Sequence, residues 1–379
     1  MIELKGIAWN HSRGFVSVVA TAQRFEELNP GISITWEKRS LQAFADAPLE
    51  KLAESYDLIV MDHPHTALAA REKVLLPLDQ HLPEEFLADQ AENSVGASHT
   101  SYASAGHQWT LATDAACPIA TWRPDLMEER GLELPENWEE MLELARQGQV
   151  GLSLFPVDVL MHTYSLCEAL GEAPFRGETA LASSATLTAA LRHLRELAAL
   201  CQERFFEMNP IRTAEFMTQT DEIAYCPLGY GYSNYSRRGY ARALLKAGCP
   251  VLFEDRPLRT VLGGAGLAVS ARTRHIQTCV DYARFTAEPA IQRGIYFEAG
   301  GQPGHRSAWT DARVNAASND FFKDTLPALD NALVRPPYPG YMYFQDRASP
   351  IAHECVTGKI SPAMAAEKLN SLYRESKSK

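Results

Sequence analysis

The stretch IELKGIAWNHSRGFVSVVATAQRFEELNPGISITWEKR (residues 2–39) decides the fold class. Residues 2–9 can form a strand, and apolar side chains then recur at helical spacing over residues 15–28. The helix must end at Asn29-Pro30-Gly31, because proline cannot continue it and glycine turns the chain. Residues 32–36 alternate apolar and polar side chains, as a strand does. This order predicts a strand–helix–strand unit with a right-handed crossover.

The residues that follow extend the same alternation. A short helix is predicted over residues 48–55, with Asp46 as its cap, before the apolar run Tyr56–Met61. Such a run is typical of a parallel strand that is buried on both faces. We therefore predict an α/β fold. The 379 residues exceed the roughly 250–300 that one hydrophobic core holds, so we expect two packed units.

Composition and charge exclude several classes of protein. With 46% hydrophobic and 22% charged residues, the chain is globular rather than disordered. Its net charge of −11 disfavours nucleic acid or an anionic membrane as the partner. No apolar run reaches the roughly 18 residues of a membrane helix, so membrane insertion is not expected. The seven cysteines lack paired spacing, and no secretory signal follows Met1; both favour a reducing compartment unless an export signal has been removed.

The common enzyme signatures are missing from the sequence. Gly229-Tyr230-Gly231 lacks the third glycine of a dinucleotide fingerprint. Gly263-Gly264-Ala265-Gly266 is predicted to interrupt the chain before a strand at Leu267–Ser270, whereas a dinucleotide loop opens a helix. The sequence also has no phosphate-binding loop, nucleophile elbow or HExxH motif. We therefore predict no enzyme activity and no cofactor, while an enzyme on this fold remains an alternative because fold does not fix function.

Basic residues follow each of the first three strands. The strands end in Trp9-Asn10-His11-Ser12-Arg13, in Lys38-Arg39 and in Asp62-His63-Pro64-His65. In an open α/β sheet, ligands bind at the carboxyl ends of the strands. The helix that begins after Ser12 offers free backbone N–H groups, and guanidinium groups bind carboxylate or phosphate through two hydrogen bonds. The pattern predicts an anion site built from Trp9, Asn10, His11, Arg13, Arg39, His63 and His65.

Two alternatives stay open at these strand ends. Arg13 and Arg39 could pair with carboxylates of the protein itself, while the histidines only fill loops. His63 and His65 could instead bind a metal, but Asp62 is the only further ligand nearby in sequence, so no metal is predicted.

A second candidate surface is the stretch Leu228–Asn234. Two glycines bracket tyrosines directly after a predicted strand, which suits an exposed loop that presents rings and hydroxyls to a ligand. Tyr230, Tyr232 and Asn234 are therefore predicted ligand residues. Ferric-iron binding by the two tyrosines is a weaker alternative, because they are not adjacent.

Several segments together resemble the bacterial extracellular solute-binding proteins of family 1, the maltose-binding-protein-like receptors of ABC importers. The segments are HQWTLATD (107–114), WRPDL (122–126), PENWEE (135–140), FEELNPGI (25–32), YDLI (56–59), LPLD (76–79) and GGAGLAVS (263–270). Two departures stand out: Trp109–Ala112 lacks the usual glycine and proline, and Arg123-Pro124 replaces asparagine-lysine. The resemblance covers nearly the whole chain. Each segment matches only loosely, and the resemblance depends on the order and spacing of the segments together.

The resemblance implies a two-lobe, type II periplasmic-binding-protein-like fold with the ligand between the lobes and hinge closure around it. Lobe one would hold residues 1–112 and 262–310, and lobe two residues 113–261 and 311–379. Further ligand residues implied in this frame are Asp114, Trp122, Phe155, Gly263 and Gly264.

The function expected from this resemblance is reversible binding of a small polar, anionic ligand without chemistry. The protein would be a periplasmic monomer that delivers its ligand to an ABC permease. If Met1 is the native start, a cytoplasmic ligand sensor or carrier on the same fold is the alternative.

Overall fold

A computed structural model of the chain describes residues 1–41 and 48–379, so the predicted cap at Asp46 lies outside the described residues. The strands are β1 (Ile2–Trp9), β2 (Ile32–Arg39), β3 (Leu58–Met61), β4 (Ala103–Ser104), β5 (His107–Gln108), β6 (Leu111–Ala116), β7 (Pro118–Trp122), β8 (Tyr225–Tyr230), β9 (Lys246–Gly248), β10 (Leu252–Phe253), β11 (Arg256–Pro257) and β12 (Gly263–Val269). The predicted α/β class is confirmed.

The helices cover both halves of the chain. They are α1 (Ser17–Leu28), α2 (Leu49–Ser55), α3 (Thr66–Glu72), α4 (Glu84–Glu92), α5 (Pro124–Glu129), α6 (Trp138–Arg146), α7 (Pro156–Ala169), α8 (Ser184–Leu200), α9 (Pro210–Gln219), α10 (Ile276–Ala287), α11 (Pro289–Ile291), α12 (Arg306–Trp309), α13 (Ala312–Ala317), α14 (Phe321–Asp330), α15 (Tyr341–Val356) and α16 (Pro362–Ser376). Within the described part of the chain, no helix has both the length and the apolar character needed to span a membrane.

The chain packs as two compact units. Unit 1 holds Met1–Ala116, Leu262–Ala316 and Pro337–Pro339. Unit 2 holds Cys117–Val261, Ala317–Pro336 and Gly340–Lys379. The chain passes from unit 1 to unit 2 after Ala116, at the end of β6, which is paired with β12 up to that residue.

Unit 1 is built on a five-stranded sheet in the order β2-β1-β3-β12-β6. β1 runs parallel to β2 and β3, whereas β12 runs antiparallel to β3 and β6. The carboxyl ends of β1, β2, β3 and β6 therefore meet the amino end of β12 at one edge of the sheet, which we call the unit 1 edge. All four residues of β3 are buried, as the apolar run predicted.

The glycine-rich start of β12 corrects one prediction. Gly263–Gly266 does not interrupt the chain before a strand but forms the first half of β12. Gly264 adopts φ +102°, and the register with β6 shifts between Ala265 and Gly266. Glycine tolerates this backbone conformation, so the segment stays hydrogen-bonded to β6 through a bulge.

Unit 2 contains a three-stranded antiparallel sheet in the order β8-β7-β9. Helices α7, α8, α15 and α16 pack against one another beside it. Val150 forms a parallel bridge to Tyr225, so the chain that leads into α7 runs alongside β8. Phe155, which precedes α7, therefore comes to the same end of β8 as Tyr230.

Candidate functional site

The sheet register gathers the predicted ligand residues of unit 1 at the unit 1 edge. Trp9 is opposite Arg39, Gly266 is opposite Met61, and Gly263 is opposite Ala116. Ten predicted residues lie at or directly beyond these strand ends: Trp9, Asn10, His11, Arg13, Arg39, His63, His65, Asp114, Gly263 and Gly264.

Arg13 and Asp114 form a buried ion pair at this edge. The Nε of Arg13 donates to Oδ2 of Asp114 over 2.8 Å, and its Nη2 pairs with Oδ1. Arg13 is only 4% exposed. Burial raises the pKa of Asp114, and the charge and hydrogen bonds of Arg13 oppose that shift. Asp114 thus neutralises Arg13, which favours the alternative in which this arginine pairs within the protein rather than with an anionic ligand.

Trp9 supports the turn that carries Arg13. Its ring is buried and lies so close to Gly14 that a Cβ there would come within 2.3 Å of the indole. The guanidinium carbon of Arg13 lies 5.8 Å from the ring centroid, within the range of a cation–π interaction. The structure therefore places Trp9 beneath the edge as a packing residue.

His11 caps the helical turn that follows β1. Its Nδ1 accepts a hydrogen bond from the backbone N–H of Arg13 over 3.0 Å. Burial, and then the charge of Arg13, lower the pKa of His11 to about 3. His11 is therefore neutral near pH 7 and adds no positive charge to the predicted anion site. Asn10 beside it is exposed, and its backbone N–H donates to the carbonyl of Arg39 over 2.7 Å.

Arg39 and Asp62 place opposite charges at the ends of β2 and β3, the two strands that flank β1. Arg39 is half-buried and donates from Nη2 to the carbonyl of Val60 over 3.3 Å. Burial lowers its pKa to about 10, which leaves it protonated near neutral pH. Asp62 is partly exposed, and its Oδ1 accepts from the backbone N–H of His63 over 2.8 Å. The charges of Arg39 and Asp62 balance each other. Lys38, the other basic residue at the end of β2, lies over the ring of Phe15.

The two histidines after β3 are internal residues. His63 and His65 are both buried, and the Nδ1 of His63 lies 3.2 Å from Oδ1 of Asp62. Across residues 1–41 and 48–379, no group of three or more His, Cys, Asp or Glu side chains is arranged to hold a metal ion.

In unit 2, the structure brings together only some of the predicted ligand residues. β7 pairs Pro118 with Tyr230 at one end and Trp122 with Tyr225 at the other. Trp122 therefore lies about 13 Å along the strand from the Tyr230 end, at a rise of about 3.3 Å per residue. Phe155 shares the Tyr230 end, whereas Trp122 packs with the α5 cluster around Leu126.

The predicted exposed loop at Tyr230–Asn234 is packed into unit 2 instead. Tyr232 is 8% exposed and Asn234 is 1% exposed, whereas Tyr230 is half-buried at the end of β8. Gly231 explains the packing, because a Cβ there would meet the Cδ1 of Ile119 at 2.7 Å. The missing side chain lets the segment lie flat on β7, so the glycine serves close packing rather than exposure.

Two ionisable residues inside unit 2 escaped sequence reasoning. Asp158 and His162 lie one turn apart on α7, and both are buried. Burial raises the pKa of Asp158 well above its usual range and lowers that of His162 to about 4. The Nε2 of His162 lies 3.0 Å from the carbonyl of Ser153. The available signal was an aspartate and a histidine spaced i, i+4 in a predominantly apolar part of this helix.

The comparisons with known proteins agree with this architecture. The sequence profile of bacterial extracellular solute-binding proteins matches residues 8–151. Among solved structures, a maltose-bound T. maritima MalE3 is 14% identical, covering 99% of this chain and 100% of its own, with a TM-score of 0.84.

Two further solved structures are similar. A solute-binding protein of an ABC transporter from Agrobacterium radiobacter K84, in complex with ribitol, is 16% identical over 99% of this chain and 98% of its own, with a TM-score of 0.84. One from Thermotoga lettingae TMO, bound with α-D-tagatose, is 16% identical over 98% of this chain and 100% of its own, with a TM-score of 0.80. The resemblance to bacterial extracellular solute-binding proteins is therefore confirmed, by sequence over residues 8–151 and by fold over the whole chain.

Proposed function

We propose that this chain is the substrate-binding component of an ABC-type importer, and that it binds a small, neutral, polyhydroxylated solute reversibly and without chemistry. The buried pair between Arg13 and Asp114 is the observation that favours a neutral solute, because it neutralises the most prominent cation of the predicted anion site. Similar solved proteins hold maltose, ribitol and tagatose, all of them neutral polyhydroxylated compounds.

The remaining polar groups of the unit 1 edge suit hydroxyl recognition. A hydroxyl both donates and accepts, so a matching surface needs both kinds of group. Asp62 supplies a partly exposed carboxylate acceptor, Arg39 supplies a guanidinium donor, and the exposed Asn10 amide supplies both. Because Arg39 and Asp62 carry opposite charges, they attract no net charge in the solute.

The proposal includes the lobes that the resemblance implies. Lobe one would correspond to unit 1 and lobe two to unit 2, and a hinge motion would close them on the solute. Phe155 and Tyr230 are the unit 2 residues that we propose to contact the solute. The protein would act as a monomer that delivers the solute to a membrane permease.

The cysteines are compatible with a protein that works outside the cytoplasmic membrane. All seven are free thiols, and six of them are buried. Burial raises the pKa of Cys117, Cys201 and Cys226 to about 12, so these groups stay protonated near neutral pH. Protonated buried thiols are poor nucleophiles and do not need a reducing compartment.

Isothermal titration against a panel of neutral polyols and oligosaccharides, and against a panel of organic acids and phosphate esters, tests the proposal. We expect a neutral polyol or oligosaccharide to bind at a 1:1 ratio, and organic acids and phosphate esters to bind much more weakly. Asp62→Ala should weaken that binding by about tenfold or more, because a hydrogen bond to a charged group contributes roughly 1.5–3 kcal/mol.

The matched control is Asp281→Ala, which removes an exposed carboxylate from α10 of the same unit and should leave the affinity unchanged. Binding confined to organic acids or phosphate esters would show that the solute is an anion, as the sequence first suggested.

A further inference from the structure

Unit 2 contains a small pocket beside Tyr230, one of the two unit 2 residues proposed to contact the solute. Its volume of about 20 Å³ exceeds the roughly 10–15 Å³ that a water molecule needs, so there is room for one small polar group. We call it the hydroxyl pocket, after the side chains of Ser153, Thr213 and Ser236 in its wall. Most of its lining residues are buried, whereas Thr121, Ala214 and Tyr230 are partly exposed. The pocket therefore opens beside Tyr230.

Two buried hydroxyl groups form a polar wall of this pocket. Ser153, in the chain before α7, donates from Oγ to Oγ1 of Thr213 on α9 over 3.1 Å. A hydroxyl carries one hydrogen and two lone pairs, so this pair can still donate one hydrogen to a guest and accept one from it. An alcohol group also donates one hydrogen and accepts another, so it matches this wall.

The lining of the hydroxyl pocket is uncharged. Among the described residues that line it, none is an aspartate, glutamate, lysine, arginine or histidine. Cys226 also lines it, and burial raises the pKa of its thiol to about 12, so the thiol is neutral near pH 7. A charged guest would lose its hydration here without meeting an opposite charge, which is costly. The pocket therefore suits an uncharged group.

Gly229 keeps the pocket open. It pairs with Ile119 inside the sheet of unit 2, where a glycine weakens a strand. Its φ is not in the left-handed region, and a Cβ there would lie 3.4 Å from Sγ of Cys226 and 3.6 Å from Oγ of Ser153, which are ordinary contact distances. Neither backbone strain nor a clash requires a glycine at this position, in contrast to Gly231. What the missing side chain provides is the space between two lining residues.

We propose that the hydroxyl pocket is a subsite that takes one hydroxymethyl group of a neutral, polyhydroxylated solute. This inference rests on the proposed function and names the part of the solute that unit 2 recognises. The hydroxymethyl oxygen would bind to Ser153 and Thr213, and the rest of the solute would extend past Tyr230. A primary hydroxyl projects from the solute on a single carbon, whereas a ring hydroxyl is flanked by two ring carbons. The narrow pocket therefore favours the primary hydroxyl.

Isothermal titration of ribitol, tagatose and maltose into the natural chain and into Gly229→Ala tests this subsite. All three solutes carry hydroxymethyl groups. Each one that binds the natural chain is expected to bind Gly229→Ala more weakly by roughly tenfold or more, because the new methyl group occupies the space of the hydroxyl. The midpoint of thermal unfolding should not fall in this variant, since the added Cβ makes only ordinary contacts.

Two threonines of α9 provide a matched pair of variants. Thr213→Val removes the hydroxyl of the pocket and keeps the shape of the side chain, so it should weaken binding by about tenfold. Thr218→Val is the control, because Thr218 is buried, lies outside the pocket and donates to the carbonyl of Ala214 over 2.9 Å. Unchanged affinity in Gly229→Ala, or equal losses in the two threonine variants, would overturn the subsite and leave the proposed function intact.

Crystals soaked in ethylene glycol, which consists of two hydroxymethyl groups, test the pocket without relying on the solute. In the natural protein, one oxygen of ethylene glycol is expected within hydrogen-bond distance of Oγ1 of Thr213, and in Gly229→Ala the pocket should exclude it. If ribitol, tagatose and maltose all fail to bind, the proposed function loses support, and the soaked crystals still decide the pocket. A water molecule in place of ethylene glycol, or the same occupancy in both crystals, would overturn the proposal.

Discussion

Replacing Arg13 with alanine is expected to lower the free energy of unfolding by about 3–5 kcal/mol, because it leaves the buried carboxylate of Asp114 without its partner. The loss should depend on pH. Without Arg13, Asp114 loses the charge and the hydrogen bonds that oppose the effect of burial, so its pKa rises further and the folded variant favours the neutral carboxyl group. Because the folded pKa of Asp114 is raised, the contribution of this group to the stability of the variant is most favourable below about pH 4, its unfolded value, and is lost as pH rises through the folded value.

Urea unfolding of the natural chain and the variant at pH 5 and pH 8 measures this effect, and the deficit should be larger at pH 8. The double variant Arg13→Met/Asp114→Leu should recover most of the loss, since it removes both charges. Arg24→Ala breaks an exposed pair on α1 and is the matched control, which should unfold almost like the natural chain. A deficit no larger than that of Arg24→Ala would contradict the buried pair.

Gly264→Ala is expected to lower the free energy of unfolding by about 2–5 kcal/mol, for two reasons that add. Gly264 has φ +102°, which strains any residue with a side chain. Its Cβ would also lie 2.4 Å from the carbonyl oxygen of Asp114 in β6, a backbone atom that cannot move aside alone.

Gly31→Ala separates the two causes. Gly31 has a similar φ of +99°, but no atom lies within 4 Å of the added Cβ. It should cost only about 1–2 kcal/mol, the backbone strain by itself. Thermal and urea unfolding of both variants compare them directly. Equal losses of unfolding free energy in the two variants would mean that β6 shifts to accommodate the new methyl group at position 264. The close contact with Asp114 would then not contribute to the stability of the unit 1 edge.

The local sequence pattern predicted the fold well where a local feature of the chain determines the structure by itself. The strand–helix–strand unit of residues 2–39 and the buried strand β3 follow from apolar spacing, proline and glycine. Parallel pairing then placed the strand ends side by side, so the unit 1 residues of the candidate site were foreseeable. The order of family segments added Asp114, Gly263 and Gly264, which lie far away in sequence.

The chemistry of the site was less predictable, because it depends on contacts between distant residues. Arg13 and Asp114 are 101 positions apart, and nothing near either one signals the pair. The neutral state of His11 follows from burial, which spacing does not reveal. A glycine such as Gly231 is typical of an exposed loop, but it equally allows close packing, and here it lies against Ile119.

Native mass spectrometry of the purified protein with a mixture of neutral polyols, oligosaccharides, organic acids and phosphate esters shows whether the protein binds a neutral solute and releases it unchanged. We expect a 1:1 complex with a neutral, polyhydroxylated member of the mixture, and recovery of that solute at unchanged mass after denaturation. A complex formed only with an acid, a released product of altered mass, or no complex with any member of the mixture would contradict it.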